Sequence, residues 1–389
     1  MNLWFQSADC HALSLGMFSL FCRDRAVIVV NSLLRNAGVE RRTLDFARFL
    51  RGRNLTVEVC VLREMGNIAA MFEEAEIPVR RVRVYDYDTS GNYRIFPGGF
   101  ARLAAHMLAG RFGVVFCVQP PSYIFGRLAC YPPMGRRIVA MERFLVSGRS
   151  KRRLWTDRWM AGWSRVVCVS HLLCEELARD AGIPLDQITV IEDGVTIEPP
   201  YNPQTELRER LAGRFVFGCV GLLTKRKRQA LLIEAFAEVI EVSVRRPALV
   251  LVGGGEDEEE LKRLASRLGL QADVVFAGEQ AHVHDFYRLF DCFVFPSVAE
   301  GLGNVWAEAM LHGLPVICAN VRPMSDYIRH GENGLLAQAD DAKSLAAEML
   351  RIMESEELRR EIGARGKAFA EEHFDGERQM QKLLDAARR

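Results

Sequence analysis

Residues 293–320, FVFPSVAEGLGNVWAEAMLHGLPVICAN, decide how the rest of the chain is read. Phe293 to Phe295 form an apolar run that Pro296 closes, the pattern of a short buried strand. Ser297 to Asn304 contain Gly301 and Gly303, which let backbone approach a ligand closely. Val305 to Leu311 are good helix formers with apolar residues at helical spacing; Gly313 and Pro315 stop that helix, and Val316-Ile317-Cys318 opens the next strand. Strand, glycine loop, helix and strand make a βαβ unit, and the N-terminus of its helix is a ready site for an anion. Glu300 stands at the mouth of the helix and Glu308 inside it, roughly 12 Å apart at 1.5 Å rise per residue. The pair suits a ligand with hydroxyls at both ends and phosphate between them, which is the shape of a nucleotide sugar. The alternative is two solvated surface charges, the usual state of Glu. The apolar strands on either side weigh against that.

The chain of 389 residues is too long for one typical domain and suits two. Its 26% charged and 49% hydrophobic residues are ordinary soluble values. The net charge of +1 hides an asymmetry: residues 1–200 carry 26 Lys+Arg against 20 Asp+Glu (+6), and residues 201–389 carry 25 against 30 (−5). A basic first half suggests that it meets something anionic. The ten cysteines include no C-x-x-C pair, and Cys117, Cys168, Cys219 and Cys292 sit in apolar runs. Buried reduced thiols, no zinc site and a cytosolic setting are therefore expected. Residues 1–25 read as a leader or interfacial segment; the apolar stretch Ala12 to Cys22 lacks a basic flank and is too short to span a bilayer.

In order, strands are predicted at Ala26–Val30, Val57–Val61, Val79–Val84, Val114–Val118, Ile138–Ala140 and Arg165–Ser170, with helices between them. This alternation argues for a doubly wound parallel sheet with ligands at the carboxyl ends of its strands. Residues 196–214, rich in proline and polar side chains, read as an interdomain linker. A second βα series follows: strands at Phe215–Val220, Ala248–Val252, Asp273–Ala277 and Asp291–Phe295. The loop Gly221 to Arg228 leaves a strand and opens a helix, so its amides can face a phosphate. It carries Lys225, Arg226, Lys227 and Arg228; a basic solvated turn is the other reading. Asp86-Tyr87-Asp88 could hold a divalent cation, but a solvated turn is favoured. Residues 148–163, GRSKRRLWTDRWMAGW, place Trp155, Trp159 and Trp163 on one helical face among Lys151, Arg152, Arg153 and Arg158. They pack into the core or lie on an anionic membrane surface. No nucleic-acid module is visible.

The run E-G-x-G-N-x-x-x-E-A-M-x-x-G-x-P-V-I from Glu300 resembles the signature of retaining, nucleotide-sugar-dependent glycosyltransferases of the group 1 family. The likeness extends over about residues 26–375. Gly38, Glu40 and Arg41 match the family's G-G-x-E-R start, with Ala37 where the first glycine would be. Val190 to Val195 resembles its V-I-x-N-G-V element, with Asp193 for Asn, and Phe276 to Glu279 its F-x-G turn, with the base against Gly278. The loop from Gly221 is similar to G-R-L-x-x-x-K-G: Lys227 falls on the lysine and Leu222 on the arginine, so Arg226 or Lys225 must supply the second cation.

The resemblance implies a GT-B fold: two Rossmann-like, doubly wound parallel-sheet domains facing across a cleft. Residues 1–200 would be the acceptor domain and 201–389 the donor domain, with the last helix, 376–389, packing back on the first. It implies that Glu300 contacts the sugar hydroxyls and Glu308 the ribose, with Gly301, Leu302, Gly303, Asn304 and Val305 near the sugar and distal phosphate. No metal or cofactor is implied, because Lys227 and helix dipoles supply positive charge to a leaving phosphate that takes the acceptor proton itself. Many members carry His after the strand at Ile138–Ala140; here Glu142 could stand in toward the acceptor, or form a salt bridge. The expected activity is transfer of a hexose from a UDP- or GDP-sugar to a saccharide or lipid-linked acceptor in cell-envelope polysaccharide synthesis, in the cytoplasm or at the inner face of the plasma membrane. A silent nucleotide-sugar-binding subunit and a GT-B epimerase are the rivals.

Overall fold

The computed structural model describes residues 22–34, 38–66, 68–87, 93–118, 120–131, 137–147, 149–201, 204–244 and 246–388. Two compact units result: residues 1–192 with 377–389, and residues 193–376. The chain thus passes from the first unit to the second at Glu192/Asp193 and returns at Gly376/Glu377, where the sequence reading had one division at 200/201.

The first unit carries strands β1 (Cys22–Val30), β2 (Thr56–Val61), β3 (Val79–Arg81), β4 (Tyr85–Tyr87), β5 (Tyr93–Ile95), β6 (Phe112–Cys117), β7 (Arg137–Glu142), β8 (Arg165–Cys168) and β9 (Ile188–Val190). Its main sheet has the order β3-β2-β1-β6-β7-β8-β9. All its neighbours are parallel. Along β1, Ala26, Ile28 and Val30 face one core and Val27 and Val29 the other. Cover on both faces is why the run reads as continuously apolar instead of alternating. Three expectations shift here. The strand predicted for 79–84 stops at Arg81, because Arg83 takes the left-handed conformation at φ 49°. Tyr85–Tyr87 and Tyr93–Ile95 pair as an antiparallel hairpin. β1 begins at Cys22, inside the segment read as leader. The rest of that segment lies outside the described residues.

The second unit carries β10 (Val216–Val220), β11 (Ala248–Val252), β12 (Val274–Gly278), β13 (Cys292–Phe295), β14 (Val316–Ala319) and β15 (Leu335–Ala337). Their order is β12-β11-β10-β13-β14-β15, all parallel. Numbered from β10, this is the Rossmann order 3-2-1-4-5-6. The order reverses between β10 and β13, so the loops leaving those strands diverge there and open a crevice at their carboxyl ends. The stretch read as linker contains a helix, Thr205–Arg210.

Candidate functional site

The two loops at that reversal are those the sequence singled out. β10 runs into Gly221, a short turn at Lys225–Lys227 and the helix Gln229–Val242. β13 runs through Pro296 and Glu300 into the helix Asn304–Leu311. Because β10 and β13 are hydrogen-bonded neighbours, the side chains at the ends of both loops meet. Lys227 Nζ lies 2.6 Å from Glu300 Oε1. The ammonium also sits 4.9 Å above the centre of the Phe295 ring. Arg226 Nη1 donates to the Ala299 carbonyl at 2.8 Å and is 3.7 Å from Glu300 Oε2. The Ser297 hydroxyl donates to Glu300 at 2.5 Å. Glu300 is only 6% exposed, so two cations and a hydroxyl compensate a carboxylate that would otherwise be buried at high cost.

Glu308 is buried to a similar degree, and the Tyr287 hydroxyl donates to it at 2.9 Å. The Tyr287 ring stacks on His312, which is hydrogen-bonded to His284 at 2.8 Å. Burial, then the neighbouring His284 and Arg288, bring the His312 imidazole down to about 4, so it is neutral at pH 7. The helix between the carboxylates starts from Gly303 at φ 81°, where a Cβ would also come within 3.0 Å of the Phe295 ring. Asn304 donates to the Asp193 carboxylate at 3.2 Å. Gly221, Gly253 and Gly278 end β10, β11 and β12 side by side. The Gly221 amide donates to Val252, and the Gly253 amide to the Gly278 carbonyl. A Cβ on Gly253 would sit 2.1 Å from the Gly221 carbonyl oxygen, so only glycine permits this approach. Gly301 and Leu302 in the loop before the helix are buried, and Gly303 with the first helical residues Asn304 and Val305 is partly exposed.

Lys227, Arg226, Glu300, Glu308 and the glycines from 221 to 303 thus all fall in the second unit, around the strand ends. Leu222 is 40% exposed and offers only its carbonyl, which accepts from Gln229 at 2.9 Å. Lys225 is exposed, and Arg228 pairs with Asp340 at 2.7 Å. Gly38 and Glu142 belong to the first unit. Gly38 is exposed at the start of the helix Gly38–Gly52. Glu142 is 3% exposed at the end of β7 and fully partnered. Tyr123 donates to it at 2.5 Å, the amides of Arg143 and Phe144 at 3.1 Å, and Arg149 lies 2.7 Å away. Burial, then the Glu142 charge, push the Tyr123 phenol well above its usual range and keep it a donor. This is a buried network, where the sequence reading weighed an acceptor-facing group against a surface salt bridge. Asp86 lies in β4 and pairs with Arg63 at 3.0 Å; Asp88 lies outside the described residues. Sequence reasoning missed Tyr287, Ser297, Phe295 and Asp193 as site-forming residues.

Two parallel sheets wound in this order, each with loops at its strand reversal, define a doubly wound α/β protein of two units. The family description "Glycosyl transferases group 1" matches residues 178–369, and "Glycosyltransferase Family 4" matches residues 36–199. EpsD of Bacillus subtilis (strain 168) is 32% identical over 331 residues, covering 80% of this chain and 84% of EpsD. The lipopolysaccharide core biosynthesis mannosyltransferase LpsB of Rhizobium meliloti (strain 1021) is 29% identical over 257 residues, covering 61% of this chain and 70% of LpsB. Among solved structures, Anabaena HepE in complex with UDP and glucose aligns with a TM-score of 0.80 at 22% identity, covering 93% of this chain and 99% of HepE. The architecture is GT-B. The chain belongs to the group 1 glycosyl transferases and is a transferase, which decides against the epimerase and the silent subunit.

Proposed function

We propose that the chain is a retaining glycosyltransferase that moves a hexosyl unit from a UDP- or GDP-sugar to a saccharide or glycolipid acceptor in cell-envelope polysaccharide synthesis. The convergence of Lys227 and Arg226 on Glu300 at the β10–β13 reversal carries the reading. Lys227 and Glu300 neutralise each other at 2.6 Å. A donor diphosphate competes for Lys227 and Arg226, and Glu300 is then free to accept from sugar hydroxyls. Glu308, oriented by Tyr287, takes the ribose diol. The amides at the start of the helix Asn304–Leu311 face the distal phosphate. As the sugar leaves, negative charge grows on the diphosphate, where a preorganised lysine and helix end stabilise it most. The leaving phosphate accepts the proton of the acceptor hydroxyl on the same face. No metal or cofactor takes part in this reading. Glu142, whose four partners occupy it, holds the first unit together and is not the acceptor-side group.

The names of the lipopolysaccharide core mannosyltransferase LpsB and the capsular polysaccharide biosynthesis glycosyltransferase CapM of Staphylococcus aureus support a role in polysaccharide assembly. A thermal-shift screen of UDP- and GDP-sugars, followed by hydrolysis and transfer assays with the donor it finds, tests the proposal. Stabilisation by one nucleotide sugar and product of unchanged anomeric configuration are expected; no stabilisation by any of them, or inverted product, contradicts it.

We place the enzyme at an anionic membrane surface. The helix Lys151–Ala161 exposes Trp155 (65%) and Trp159 (50%), stacked at 5.8 Å, beside exposed Lys151, Arg152 and Arg158. The aromatic row continues through Trp163 to exposed Tyr131. Packing into the core, the other reading of these tryptophans, does not account for that exposure. Among the described residues no helix is long and apolar enough to cross a membrane; in this proposal the exposed tryptophans and basic side chains lie in the interface, on the cytoplasmic side. Sedimentation with anionic liposomes that is lost at high salt and in Trp155→Ser/Trp159→Ser is expected; equal sedimentation of the variant would refute it.

A further inference from the structure

We propose that the first unit holds a zinc(II) ion between Glu58, Cys60 and His106, a site separate from the donor-binding residues. Glu58 and Cys60 are two apart on β2 and therefore point to the same face of the sheet. That face is covered by the helix Pro97–Gly110, which packs Leu103 and Met107 in the same core as Cys60 and presents His106 to the strand. Glu58 Oε1, Cys60 Sγ and His106 Nε2 all lie within 4.8 Å of one another. The Glu58 carboxylate is in direct contact with His106 Nε2, and Cys60 Sγ is 3.8 Å from the same carboxylate oxygen. Among the described residues this is the one place where three metal-ligating side chains converge in this way.

The chemistry of the three donors selects the ion. Thiolate, imidazole and carboxylate together are a zinc set, whereas magnesium and calcium take oxygen donors. Bonds of about 2.0 Å to nitrogen and oxygen and about 2.3 Å to sulfur put tetrahedral donors roughly 3–4 Å apart. The Cys60–Glu58 separation already fits, and the Glu58–His106 contact opens to this spacing once the ion replaces the proton between them. Cys60 is fully buried, and the side chains of Glu58 and His106 are 16% and 15% exposed, so a fourth position stays open to water. The Phe112 ring packs tilted against the imidazole, 5.4 Å between ring centres. A Glu–His ion pair alone would not require a thiol turned to the same point. The bound ion ties β2 to the helix across from it, so it acts on the stability of the first unit.

The test is equilibrium dialysis of the metal-free full-length chain against zinc chloride, with cobalt(II) as a spectroscopic probe, on wild type, Cys60→Ser and His106→Gln. One zinc per chain, a cobalt–thiolate absorption band, a rise in melting temperature with zinc, and affinity weaker by on the order of tenfold or more in His106→Gln are expected. His106 is peripheral to the core, so that variant decides the matter even where Cys60→Ser fails to fold. Absence of stoichiometric zinc on wild type, or wild-type affinity in His106→Gln, overturns the proposal.

Discussion

Tyr287 is the residue whose role is most specific at the scale of single side chains. Its hydroxyl donates to one oxygen of Glu308 and so orients that buried carboxylate. Tyr287→Phe should raise the donor KM about fivefold, from the loss of about 1 kcal/mol of hydrogen bonding, with kcat nearly unchanged. Steady-state kinetics read this directly, and a fall in kcat at constant KM would show that Glu308 acts in the transition state instead. Glu300 and Glu308 stood out in the sequence because Pro296, Gly301, Gly303 and Gly313 bracket them in a fixed register, and Lys227 through its match to the lysine of the family's glycine-led loop. Tyr287 was not. It lies in the four-residue helix His284–Tyr287, where an aromatic residue next to Phe286 signals only a core position. Arg226 was legible as a charge but not as a contact; its reach to Ala299 and Glu300 depends on the pairing of β10 with β13.

At the scale of elements, the strand–loop–helix from β13 works because Gly303 adopts a backbone that side chains resist. Gly303→Ala should cost on the order of 1–3 kcal/mol, from a left-handed residue and a Cβ pressed on Phe295. Chemical denaturation of the variant checks this, and unchanged stability would mean that the loop relaxes freely. The end of the same helix carries a pH dependence. The His312 imidazole titrates at about 4 when folded, against 6.5 ordinarily, so the unfolded chain binds the extra proton between those values. Stability should therefore be full above about pH 6.5 and fall as pH drops toward 4, and His312→Asn should flatten that slope. Urea midpoints across this range test it; parallel slopes for the two proteins would contradict it. The long alternation of strands and helices was readable from apolar periodicity. The β4–β5 hairpin was not, since strands of three residues show no period. The end of β3 turned on Arg83, whose positive φ no residue type announces.

At the scale of the whole molecule, the chain closes by returning to its first unit. The helix Gly376–Arg388 places Leu383, Leu384 and Ala387 in the core that contains Ile28, Leu44 and Phe46. Leu384→Ala should destabilise the first unit by about 2–4 kcal/mol through the cavity it leaves. Differential scanning calorimetry would show this as a lowered transition, and a melting curve identical to wild type would place the helix outside that core. Two βα series made the two units legible. The destination of the terminal helix was legible only through family resemblance, because an amphipathic helix declares a buried face without naming what covers it. The Glu58–Cys60–His106 cluster had no signature at all: its residues match no ligand spacing, and β2 and the helix Pro97–Gly110 meet only in the fold.

In the proposed function Lys227 leaves Glu300 for the donor diphosphate. Isothermal titration of the matching nucleotide sugar into wild type and Lys227→Ala measures that exchange. We predict binding weaker by on the order of ten- to a hundredfold in the variant, equivalent to about 1.4–2.8 kcal/mol, with the fold retained by circular dichroism. Equal affinity in the two proteins would contradict it.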